Sequence, residues 1–203
     1  MLSLILKKSI RFEGHPGILV ILYISILTSC MESYTPKPTG FIRIEPPAAR
    51  YLLFDEAGLP YKFNISQYST IELPPTDSTA YWINIDYSGF DAKIYCSYSR
   101  ITPITLSEHM EDGVKLAERV ARNASAITEK SYENKENNVY ATLFLIEGNS
   151  ASPVQFMLTD SASHFFRGTL YYKYKVNTDS IAPVTNYIIN DITEIIQTFH
   201  WKK

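Results

Sequence analysis

The sequence is short of cysteine, with two in 203 residues, and of histidine, with four. Two thiols cannot build a disulfide scaffold, and no CxxC, HxH or HExxH spacing offers a zinc site. No phosphate loop, dinucleotide fingerprint or nucleophile elbow is present. Neither sign of charge is in excess: 19 Lys+Arg stand against 21 Asp+Glu, a net of −2. That balance excludes a general nucleic-acid binder, whose backbone-tracking surface needs a basic surplus. No repeat of fixed period occurs, which excludes collagen, coiled coil and solenoid. What the chain has in quantity is aromatic: 15 Tyr, 10 Phe and 2 Trp. That much buriable surface excludes wholesale disorder. The length suits one domain with a core large enough to fold without staples.

Residues 1–29 read as a targeting segment. Lys7, Lys8 and Arg11 form a positive n-region, and Gly17–Leu27 is an apolar h-region. The run is shorter than the about 20 residues of a comfortable membrane span, and suits a signal peptide. Leu27-Thr28-Ser29-Cys30 then resembles a bacterial lipobox, in which the cysteine is acylated and becomes the new N-terminus. Acyl chains on Cys30 would hold the protein to a membrane, at roughly 0.8 kcal/mol per buried methylene. Without the leader the chain carries 16 basic and 20 acidic residues, and the lipid is its membrane attachment. Only Cys96 then remains as a thiol, placed on the apolar side of a strand, where a small inert side chain is expected. Residues 30–39, with Pro36 and Pro38, read as a tether, and residues 40–203 as a single domain.

Within that domain the pattern alternates between strand and helix. Gly40–Glu45, Tyr51–Phe54 and Tyr61–Ile65 are short strand candidates, with turn chemistry at Ala57–Pro60 and a loop at Leu73–Asp77. Tyr81–Asp86 and Ala92–Tyr98 alternate about a Ser88-Gly89 turn, as a hairpin with one buried face does. Thr105–Glu108 has the capping-box pattern, and Leu106, Met110, Val114 and Ala117 recur at helical spacing through Arg122. The expected first turn is acidic and the last basic. Val139–Glu147 is apolar on both alternating sets, the mark of a central strand covered on both faces. Val154–Thr159 and Gly168–Val176 follow, with Ala126–Tyr132 as an edge strand. A last helix is expected to start at or near Pro183, with Val184, Ile188, Asp191/Ile192, Ile195 and Phe199 inward. The order implies an α+β domain with a mostly antiparallel sheet flanked by helices on both faces.

Chemistry is sparse in the domain. Asp160, Ser161 and His164 invite a triad reading, but they sit in a hydrophilic turn where Asp and Ser cap backbone amides, and no oxyanion arrangement follows. The Gly148–Pro153 turn, with Asn149, Ser150 and Ser152, is rich in small residues that permit close approach. Arg167 offers a planar fork of donors to a carboxylate, from a partner or from the fold itself. The Tyr-rich run Tyr171–Lys175 puts Thr169, Tyr171, Lys173 and Lys175 on one face, a protein- or carbohydrate-binding surface or simply a strand that wets its hydroxyls. The candidate contacts are therefore Asn149, Ser150, Ser152, Asp160, His164 and Arg167, with no catalytic residue, metal or cofactor.

Several stretches carry a resemblance. Thr35–Ile44, Tyr81–Ile85, Gly148–Phe156, Leu158–Ser161, His164–Tyr172, Asp179–Val184 and Trp201-Lys202 together resemble the gliding-motility lipoprotein GldD family of Bacteroidetes, from about Cys30 to Lys203. Tyr81 stands where that family carries a cysteine, so a disulfide to Cys96 is not available here. The resemblance implies a non-enzymatic envelope lipoprotein, anchored by acyl chains on Cys30 and working with other gliding and type IX secretion proteins. The element order also resembles the Mog1/PsbP α/β/α sandwich. Glu32 is the one acidic residue just after Cys30, and surface-exported lipoproteins of this phylum carry a denser acidic signal there, which points to a periplasm-facing domain. The rival is a periplasmic glycan-binding or hydrolytic domain, which needs Asp160, His164 and Arg167 to converge in one deep pocket.

Overall fold

Apolar alternation at 83–87 and 92–100, and helical periodicity at 103–120, build the centre of the molecule. The computed structural model describes residues 46–74, 81–174 and 178–202. The leader, Cys30, the tether and the Gly40–Glu45 strand expected from alternation lie outside the described residues. The elements are β1 (Tyr51–Phe54), β2 (Tyr61–Ser66), β3 (Thr70–Glu72), β4 (Ile83–Tyr87), β5 (Ala92–Arg100), α1 (Pro103–Val120), β6 (Ala124–Asn134), β7 (Val139–Gly148), β8 (Val154–Thr159), β9 (His164–Tyr172), α2 (Thr178–Thr198) and β10 (His200–Trp201). Seven strands form one antiparallel sheet in the order β3-β4-β5-β9-β8-β7-β6, and β1-β2-β10 form a small second one.

The two faces of the large sheet are filled differently. On one, Phe144, Met157 and Phe165 pack against Leu106, Met110, Val114 and Ala117 of α1. On the other, Leu143, Phe156, Leu158, Phe166 and Leu170 meet Val184, Ile188, Ile192, Ile195 and Phe199 of α2, together with Tyr61 and Phe63 of the small sheet. The architecture is thus the expected α+β sandwich, with one helix on each face. The strand buried at every position is β8, whereas β7 lies one strand from the edge and leaves Tyr140 and Glu147 exposed. Gln155, Met157 and Thr159 are polar or soft residues that lie inside because α1 roofs them.

Three boundaries differ from the expectation, each for a local reason. Helix α1 begins at Pro103, not Thr105: Thr102 is its N-cap, and Thr102 and Thr105 exchange backbone and hydroxyl hydrogen bonds in the capping box. Moving the start three residues back takes Glu108 past the first turn, which holds no acidic residue. Strand β9 begins at His164, four residues before Gly168. Gly168 is interior because the Phe156 ring lies directly over its Cα, where any Cβ would collide with the ring carbons. Pro183 lies inside α2, since a proline forbids only its own N–H bond and crowds one carbonyl, and a turn can still form ahead of it.

Candidate functional site

The residues singled out from the sequence fall at opposite ends of β8. At the end where β8 leads into β9, Asp160 Oδ1 accepts hydrogen bonds from the backbone N–H groups of Ala162 (2.9 Å), Ser163 (2.7 Å) and His164 (2.8 Å). Burial pulls this carboxyl upward, but the three amides outweigh it and leave it below the ordinary aspartate value. The hydroxyl of Thr159 donates to the His164 carbonyl at 2.8 Å, and Ser161 adopts a left-handed φ of 62° to close the turn. The imidazole of His164 makes its own contacts, with Tyr98 and Trp201. Its Nδ1 is 2.7 Å from the Tyr98 hydroxyl, and its ring stacks on Trp201 at 5.0 Å and 12°. Burial holds His164 below its usual value, with Arg100 adding to the effect and Asp160 opposing it. Asp160 orders the turn and His164 is a ring packed between Tyr98 and Trp201; among the described residues neither activates Ser161.

Arg167 lies two pairs along β9 from that turn, but on the other face. Its register partners are Ser97 on β5 and Met157 on β8, on the side that α1 covers, whereas His164 and Phe166 project to the α2 side. Among the described residues Arg167 makes no ion pair. Burial lowers its guanidinium's hold on the proton, and the neighbouring Tyr171 and Asp112 side chains oppose that effect. Asp160, His164 and Arg167 therefore do not share a pocket.

The second turn, at the far end of β8, is built by its own hydroxyls. Gly148 has φ of 87°, and a Cβ there would lie 2.9 Å from the Ser125 backbone nitrogen. Ser150 donates to the Ser152 carbonyl at 2.8 Å and accepts from the Ser152 N–H, while buried Ser152 donates to the Val154 carbonyl at 3.0 Å. Ser152 thus holds the turn together from inside, and exposed Asn149 is what the turn presents outward. The turn rims an open groove of about 1120 Å³ between the C-terminal end of α1 (Arg119, Val120) and the start of α2 (Thr185, Asn186), floored in part by Tyr172. No local motif announces this groove: its walls come from segments 60 residues and more apart, and only the turn was visible in the sequence. Cys96 is buried, and burial pushes its thiol far above the ordinary range, as an inert packing residue requires. Among the described residues no group of three His, Cys, Asp or Glu side chains could hold a metal ion, and no helix is long and apolar enough to cross a membrane.

No curated protein matches the chain. Among solved structures, the cyanobacterial PsbP protein (CyanoP) from Synechocystis sp. PCC 6803 is similar at 10% identity, over 81% of this chain and 99% of that one, with a TM-score of 0.47. The family model of the gliding motility lipoprotein GldD matches residues 31–201.

Proposed function

The chain belongs to the gliding motility lipoprotein GldD family, and from that premise we propose that it is a non-enzymatic, membrane-anchored component of the gliding-motility and type IX secretion machinery. The observation that carries the reading is the extent of the family match, which runs from residue 31 and so begins directly after Cys30. Cys30 bears the acyl chains, residues 31–39 act as a spacer, and the sandwich faces the periplasm, where it docks onto other envelope proteins. Its contacts are two separate surfaces, the Asn149 turn with its groove and the Asp160–His164 turn, since β8 holds them apart. A hydrolytic role has little support, because Asp160 is committed to backbone amides and Arg167 lies on the opposite face from His164.

A clean deletion tests the proposal, scored in parallel for colony spreading and for type IX cargo in the medium, with rescue by wild type and by Cys30→Ala. Loss of either trait, restored by wild type and not by Cys30→Ala, supports it. Normal spreading and normal secretion refute it. Acyl labelling that persists in Cys30→Ala refutes the anchor.

A further inference from the structure

Helix α1 roofs only part of its face of the large sheet. Among the described residues the half carried by β3, β4, β5 and the Tyr171 end of β9 is the open one, apart from buried Thr169, and it bears an ordered set of side chains that the proposed docking role does not use. Strand register puts Asn84, Tyr95 and Thr169 in one cross-strand row and Asp86, Lys93 and Tyr171 in the next. Extending the register by one residue sets Trp82 in the row of Ser97 and Arg167. Trp82, Tyr95 and Tyr171 therefore run diagonally across three adjacent strands, at the about 7–8 Å spacing of diagonal neighbours. They are 42%, 51% and 36% exposed, high for rings of this size on a folded domain. The stripe is held in place: the Trp82 indole donates to the Tyr98 carbonyl at 3.1 Å, and the Tyr95 and Tyr171 rings meet edge to face at 5.8 Å.

Around the stripe lie polar groups of both kinds. Lys93 is fixed by Glu72 at 2.8 Å and Asp86 at 3.3 Å, Asn84 supplies an amide, and Arg167 is a half-buried guanidinium without an ion pair among the described residues. Asp112 of α1 stands close enough to act on Arg167. Three carboxylates against two cations make a nearly neutral field, which attracts neither a polyanion nor a polycation. Exposed aromatic rings set at an angle to one another and bordered by hydrogen-bond donors and acceptors match one ligand chemistry well: a sugar ring, with an apolar C–H face and a rim of hydroxyls. An extended peptide fits less well, because it would pair at the β3 edge and not on this face, where the strand ladders already use the backbone N–H and C=O groups.

We infer that the open half of the large sheet binds a neutral polysaccharide, with sugar rings stacked along Trp82, Tyr95 and Tyr171 and hydroxyls bonded to Asn84, Asp86 and Arg167. The test is affinity electrophoresis of the full mature protein in detergent, in gels cast with hydroxyethylcellulose, dextran or the polyanion alginate. Retardation is expected in at least one neutral polysaccharide and not in alginate alone. Trp82→Ala and Tyr95→Ala should each weaken it about tenfold, a loss readable directly from the mobility series. Tyr140→Ala, which removes an exposed ring from β7 beyond α1, should leave it unchanged. All three positions are surface rings, so circular dichroism should show the fold intact. No retardation in any neutral gel, retardation that survives both substitutions, or a platform that crosslinks only to protein would each overturn the inference. The deletion phenotypes above are read independently of these gels, so either result can fail without the other.

Discussion

Asp191 sits on the inner stripe of α2, 1% exposed, with its two carboxylate oxygens taking hydrogen bonds from the hydroxyls of Tyr51 (3.0 Å) and Tyr87 (3.1 Å). Burial pushes its carboxyl above the ordinary aspartate value of 3.8, while the Tyr51, Ser66 and Tyr87 hydroxyls pull it back. Two substitutions separate the charge from the hydrogen bonds. Asp191→Ala removes both acceptors and orphans the hydroxyl of Tyr87, a fully buried residue; Tyr51 is half-buried and can turn to water. An orphaned buried donor and the lost packing together cost about 2–4 kcal/mol. At about 2–4 °C per kcal/mol for a chain of this size, the Tm should fall by about 4–16 °C. Asp191→Asn keeps an oxygen for one tyrosine and removes the buried charge, so at pH 7 it should match or exceed wild type. The pH dependence follows from linkage. A folded-state value raised above the unfolded one means that folding takes up a proton. The stability that proton lends is full below pH 3.8 and is lost as pH rises through the folded value. Wild type should therefore lose ground to Asp191→Asn as pH climbs above about 4 and through the folded-state value, measured by calorimetry on the mature protein. A difference that stays constant across that range, or an Asn variant as unstable at pH 7 as the Ala variant, would refute the account.

Gly168→Ala and Gly113→Ala both add a methyl to a crowded place, but not at equal cost. At Gly168 the obstacle is the Phe156 ring, 1% exposed and fixed, so about 1–3 kcal/mol of overpacking is expected in urea unfolding; at Gly113 it is the Met157 sulfur at 2.8 Å, which can swing aside. Equal losses at the two sites would contradict this. Thr102→Ala strips the α1 cap, and chemical denaturation should register a loss of about 1 kcal/mol. An unchanged midpoint would mean that Pro103 alone sets the helix start.

What could be read from the residues, and what could not, divides along lines of range. Strand β5 and the buried side of β4 declare themselves because their alternation runs for five residues or more against a single core, and β8 shows through Val154, Phe156 and Leu158 although α1 buries its other face as well. Helix α1 declares itself by its stripe, but its N-cap lies three residues before the Thr105–Glu108 pattern, because Thr105, a threonine where the common box has Glu or Gln, serves as the N3 partner of Thr102. Strands β3 and β10 span three and two residues, too short for any period to show. Gly168 reads as a strand boundary, and is instead the floor under Phe156, a partner on a neighbouring strand. The separation of His164 from Arg167 follows from simple parity along β9, once that strand is known to start before both. The diagonal of Trp82, Tyr95 and Tyr171 depends on β5 lying between β4 and β9, a strand order that local pattern does not encode.

The small sheet ties early chain to late chain. Its β2 strand pairs with β10, the Asn64 N–H donates to the Thr198 hydroxyl 134 residues away, and the Lys202 N–H donates to the Pro60 carbonyl at 2.8 Å. Tyr61 and Phe63, both fully buried, find Phe199 only when this clasp forms. During synthesis at about 5–20 residues per second, the first aromatic residues of the core would wait about 7–27 s for that partner to leave the ribosome. Tyr61 and Phe63 can meet Phe54, Tyr98 and Phe166 earlier, but the packing of β2 is complete only when nearly the whole domain exists.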